Sequence, residues 1–65
     1  MSVQGEKFVV FRDLEDGYRW RLRAATGETL ATSSRGHKEK SSCYNELRSA
    51  MAEHRGADIL DVSVG

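Results

Sequence analysis

The order of residue patterns predicts an α+β domain, β-β-β-α-β, in which a short antiparallel sheet packs on one helix. Three observations predict it. Tyr18, Trp20, Leu22 and Ala24 alternate with Arg19, Arg21 and Arg23, a strict period of two that a strand turns into one apolar and one cationic face. Cys43, Leu47, Ala50, Met51 and His54 fall on one face of a helix. Leu60, Val62 and Val64 alternate with Asp61 and Ser63 at the end of the chain.

Each element can be justified in turn. Phe8-Val9-Val10-Phe11 is a β-branched and aromatic run that reads as the first strand; the run alone leaves open which side chains point inward. Asp13-Leu14-Glu15-Asp16-Gly17 supplies turn chemistry, ending in a pair that accepts positive φ. The second strand follows, and its arginines stand about 6–7 Å apart along one face. Ala25-Thr26-Gly27-Glu28 is the next turn, and Thr29-Leu30-Ala31-Thr32-Ser33 the third strand, with Leu30 expected in the core. Short turns make these three strands an antiparallel meander. After the connection Ser34–Lys38, a helix is expected from about Glu39 to Arg55, with Glu39, Ser41 and Ser42 near its N-terminus and Gly56 beyond its end. The last strand is expected to be half-buried through Leu60, Val62 and Val64.

Residues 1–6 read as a loose N-terminal tail and residues 7–65 as a single domain without internal repeats. A domain of 65 residues is marginal, because a chain this short buries only about 60% of its unfolded surface. One cysteine excludes an intramolecular disulfide and suits a reducing, cytoplasmic setting. No apolar run reaches membrane-spanning length, and the first residues lack a signal-peptide core. Net charge is zero and the pI about 6.7, so overall charge argues for neither nucleic acid nor membrane. The charge is nevertheless uneven. Between Arg19 and Lys40 stand six cations (Arg19, Arg21, Arg23, Arg35, Lys38, Lys40) against Glu28 and Glu39.

The segment Gly17-Tyr18-Arg19-Trp20-Arg21-Leu22-Arg23-Ala24, followed by Thr26-Gly27-Glu28, Leu30-Ala31-Thr32-Ser33, Lys40-Ser41-Ser42-Cys43 and Asn45, resembles the YegP-like family of small prokaryotic domains of unknown function. The resemblance runs from about Lys7 to Val62. It implies the same three-strand meander, helix and last strand, and favours Phe8 and Val10 as the inward residues of the first strand. Some members of that family carry two repeats in tandem. For a single-repeat chain the resemblance implies a homodimer that imitates the tandem form. One departure is His37, where the family usually has an aromatic residue.

The chemistry-bearing residues sort by strength. Arg19, Arg21 and Arg23, extended by Arg35, Lys38 and Lys40, could contact phosphate, since a guanidinium donates two parallel hydrogen bonds. The plainer alternative is a solvated face paired with acids such as Glu28 or Asp61. Tyr18 and Trp20 share a face with Leu22 and read as core. Cys43, on the apolar helix face, reads as a small buried hydrophobe; a helix start can activate a thiol, but no base is placed beside it by sequence. His37, Cys43 and His54 lack the close spacing of a zinc site, the glycines form no phosphate-cradling loop, and the acids of the first turn lack a framework for acid–base work. The sequence therefore predicts a non-enzymatic homodimeric binding or interaction module without metal, cofactor or membrane contact. Weak nucleic-acid or phosphate-ligand binding through the arginine face is the alternative.

Overall fold

The computed structural model describes residues 5–63; the expected tail residues Met1–Gln4, and Val64 of the last strand, lie outside the described residues. The elements are β1 (Lys7–Asp13), β2 (Gly17–Arg23), β3 (Thr29–Thr32), α1 (Lys40–Met51) and β4 (Asp58–Asp61). They form one four-stranded sheet in the order β3-β2-β1-β4, with α1 across one face. The predicted α+β class and element order hold.

The sheet is mixed rather than wholly antiparallel. β1–β2 and β2–β3 are antiparallel, as the meander requires, but β4 runs parallel to β1, with Phe8 opposite Ile59 and Val10 opposite Asp61. The reason is the helix. It carries the chain back from the far end of β3 to the end where β1 begins, so the next strand must run in β1's direction.

The core is Phe8, Val10, Trp20, Leu22, Cys43 and Leu47, with Tyr18, Ala31, Tyr44, Ala50, Met51 and Ala57 packed around it. Phe8 and Val10 thus point to the helix, and Phe8 meets Trp20 edge to face at a centroid distance of 5.6 Å. Alternation sends Val9, Phe11, Arg19, Arg21 and Arg23 to the opposite, open face.

Three expectations are corrected. Leu30 is 48% exposed, not core. A bulge sets consecutive Leu22 and Arg23 opposite Ala31 and Thr29, so Leu30 is the extra residue and Ala31 packs inward in its place. The last strand also presents the other set of side chains. Because Asp61 is in register with buried Val10, it faces the helix side together with buried Ser63, while Leu60 and Val62 are exposed. Finally, α1 ends at Met51, not Arg55. Beyond it, Glu53 donates to Ala50 and His54 to Met51, tight turns that bring Ala57 to the core and let the Asp58 amide reach the Glu6 carbonyl at 3.1 Å.

Between the β1–β2 hairpin and the β3–α1 loop, Tyr18 and His37 exchange backbone hydrogen bonds of 2.7 and 2.8 Å. Gly17 and Gly36 make this junction. Gly17 has φ +90° and its α-carbon faces the His37 carbonyl; Gly36 lies against the Asp16 carbonyl, with no room for a β-carbon.

Candidate functional site

Asp13 caps its own turn, accepting from the Glu15 and Asp16 amides at 2.8 and 3.2 Å, and these bonds hold its carboxyl below the usual range. Asp16 then takes the Arg19 guanidinium at 2.7 Å. Arg23 donates through Nε and Nη2 to the Gly27 carbonyl, closing the β2–β3 turn. Arg21 differs from both. Its guanidinium lies over the Phe11 ring, 4.6 Å from the centroid, and among the described residues it has no carboxylate partner and no hydrogen-bond acceptor. Phe11, Asp13, Arg19, Trp20, Arg21, Thr29 and Thr32 line a cleft of about 280 Å³ on this open face.

The six cations singled out by sequence do not form one patch. Arg19, Arg21 and Arg23 share the open face. Arg35 and Lys38 line a separate depression in the β3–α1 loop with Gly36, His37, Glu39 and Ser42. Lys40 is on the helix side, 3.1 Å from Asp61 and 5.9 Å from the Tyr18 ring centroid; Arg12 lies 5.7 Å from the same centroid.

Sequence reasoning missed two carboxylate clusters, because each joins elements far apart in the chain. In the first, Glu46 of α1 accepts from the Ser34 hydroxyl at 2.6 Å and the Ser34 amide at 3.3 Å, while its other oxygen is 2.9 Å from His37 Nε2. So His37 clamps its loop to the helix through Glu46. Burial alone would raise the Glu46 carboxyl, but the Ser34 and His37 hydrogen bonds outweigh it and bring it from 4.5 down to about 2. In the second, Asp61 is held well below its usual range, chiefly by the Ser63 hydroxyl against the opposing effect of burial, and further by Tyr44, the Ser63 amide and Lys40. Burial, and the hydrogen bond and charge of Asp61, push Tyr44 up to about 12. This second cluster ties β4 to α1.

Both carboxyls have depressed pKa values when folded, so their contribution is present above the unfolded values, 4.5 for Glu46 and 3.8 for Asp61; that of Glu46 is lost as pH falls through about 2, and that of Asp61 at still lower pH. Allowing for partial exposure, Glu46 accounts for about 2 kcal/mol of that loss. Urea midpoints between pH 5 and pH 2 are expected to fall steeply in the wild type and less steeply in Glu46→Gln. Equal slopes would show that the clamp does not form.

Cys43 is fully buried, and burial, followed by the charges of Glu46 and Asp61, pushes its thiol up. That is the reverse of an activated thiolate. Among the described residues no three His, Cys, Asp or Glu side chains are grouped to hold a metal ion, and no helix is long and apolar enough to cross a membrane.

A sheet covered by a helix on one face only, with an arginine row on the other, defines a small α+β domain without an evident catalytic constellation among its described residues. Residues 13–61 match the family described as Domain of unknown function (DUF1508), and the chain belongs to that family. Two relatives from Agrobacterium fabrum (strain C58 / ATCC 33970) agree. UPF0339 protein Atu0232 is 37% identical over 57 residues, covering 88% of this chain and 90% of the relative. UPF0339 protein Atu5359 is 40% identical over 55 residues, covering 85% and 87%. The YegP-like resemblance read from the arginine strand and the cysteine-containing helix start is thereby supported at family level. No solved structure matches the chain.

Proposed function

We propose that the protein is a non-enzymatic interaction module that works as a homodimer, joined through β4. The observation that carries this reading is the state of that strand. β4 is an edge of the sheet, all four of its residues are exposed, and Ile59, Leu60 and the following Val62 are 41%, 46% and 48% exposed. An edge strand with bare apolar side chains and unpaired backbone groups is a template for pairing with, or exchange into, a second sheet. The core, six buried apolar side chains among the described residues, gains stability from such a union.

Sedimentation across a dilution series at tens of micromolar tests this reading. A dimer is expected in low and moderate salt, with Leu60→Glu shifting the population to monomer by about tenfold or more in Kd. A wild-type monomer throughout would overturn it.

A second reading, weak phosphate or nucleic-acid binding through Arg19, Arg21 and Arg23, is favoured by their common position on the open face. It requires salt-sensitive binding of RNA or DNA that Arg21→Glu weakens.

A further inference from the structure

We propose that the open face holds a specific site for one small carboxylate ligand, centred on Arg21 and bounded by Phe11 and Thr32. This goes beyond both readings above, because it concerns one anionic group and requires neither a dimer nor a polyanion.

The three arginines of β2 are equivalent in sequence but not in structure. Arg19 is paired with Asp16, and Arg23 is spent on the Gly27 carbonyl. Arg21 alone of the three has no acceptor among the described residues, and its Nε is covered by protein without a hydrogen bond. Its outer nitrogens, with no protein acceptor among the described residues, are the donors left for the oxygens of a ligand. The Phe11 ring supports one side of the guanidinium, whose carbon is 4.6 Å from the ring centroid. A fork packed on a ring has less freedom to lose on binding, and its two parallel donors match a planar two-oxygen acceptor. Thr32, the cross-strand partner of Arg21, and Thr29 bring hydroxyls to the same cleft.

Charge selects the ligand. The cleft is also lined by Asp13, whose carboxylate is engaged with its own turn and stays ionised. In this cleft Arg21, which has no carboxylate partner among the described residues, therefore shares the lining with the Asp13 anion. A singly charged planar carboxylate satisfies Arg21 with less repulsion from Asp13 than a phosphate dianion. A cleft of about 280 Å³ takes a small molecule, and a single open guanidinium does not provide the row of contacts that a nucleic-acid backbone needs.

The test is an NMR titration of the full-length protein, following the Arg21 Nε–H signal against acetate and, separately, inorganic phosphate at constant ionic strength. A saturable shift of that signal with acetate is expected, together with weaker perturbation by phosphate. In Arg21→Lys, which keeps the charge and loses the fork, the acetate response of the neighbouring Phe11 and Thr32 amides should fall at least fivefold; Arg23→Lys should leave it unchanged. No saturation with acetate, or an undiminished response in Arg21→Lys, would overturn the site. Tighter binding of phosphate would overturn the carboxylate assignment and favour the second reading. Sedimentation of the same samples reports the dimer separately, so failure of one proposal is not confused with failure of the other.

Discussion

Gly36→Ala is expected to cost about 3 kcal/mol, a large part of the total stability of a domain this small. The position does not have positive φ, so the effect is not one of backbone conformation. It is one of space: a β-carbon at residue 36 would overlap the carbonyl of Asp16, and backbone cannot move aside as a long side chain can. Relief requires parting the β1–β2 hairpin from the β3–α1 loop, and with it the paired Tyr18 and His37 backbones. Gly27→Ala is the control. Gly27 has φ +99°, but only the tip of the Arg23 side chain is near, so its cost is the conformational one of about 1 kcal/mol. Urea denaturation of both variants checks the comparison. If they lose the same amount, the hairpin and the loop do not touch at Gly36.

Phe8→Ala is expected to cost about 3–5 kcal/mol and to leave much of the protein unfolded at room temperature. Phe8 is fully buried between the sheet and α1, edge to face with Trp20 and 6.2 Å from the His54 ring. Removing the ring opens a cavity that the five other core side chains among the described residues cannot close by repacking. Phe11→Ala, three residues on in the same strand, removes a ring that is only half-buried on the open face, and about 1 kcal/mol is expected. Urea midpoints, with near-ultraviolet circular dichroism of Trp20 as a second readout, measure both. Equal losses would mean that the two faces of β1 are equally covered, contrary to the fold.

The candidate site was partly legible in advance. Alternation alone gathers Arg19, Arg21 and Arg23 on one face, and the structure keeps them there. It does not distinguish them. That Arg19 meets Asp16 and Arg23 meets Gly27 depends on how two turns close, and only then does Arg21 stand apart. Arg35, Lys38 and Lys40 looked contiguous with the stripe because they are near it in sequence, yet they belong to a loop and to the helix side. The Ser34–His37–Glu46 and Tyr44–Asp61–Ser63 clusters carried no local signal, since their members fall on elements brought together only by folding.

What the sequence determined by itself was the kind and order of the elements. Side-chain periods of two and of about 3.6, and short turns rich in Asp and Gly, are local properties, and they led to three strands, a helix and a strand in the right places. Tertiary structure decided the rest: the direction of β4, which of its residues face the helix, the expulsion of Leu30 by a bulge, and the helix end at Met51. Except for the helix end, each of these is a choice of register or direction. Such choices are made by the neighbouring element, because a strand slipped by one residue or reversed keeps the same local pattern and exchanges only what it packs against.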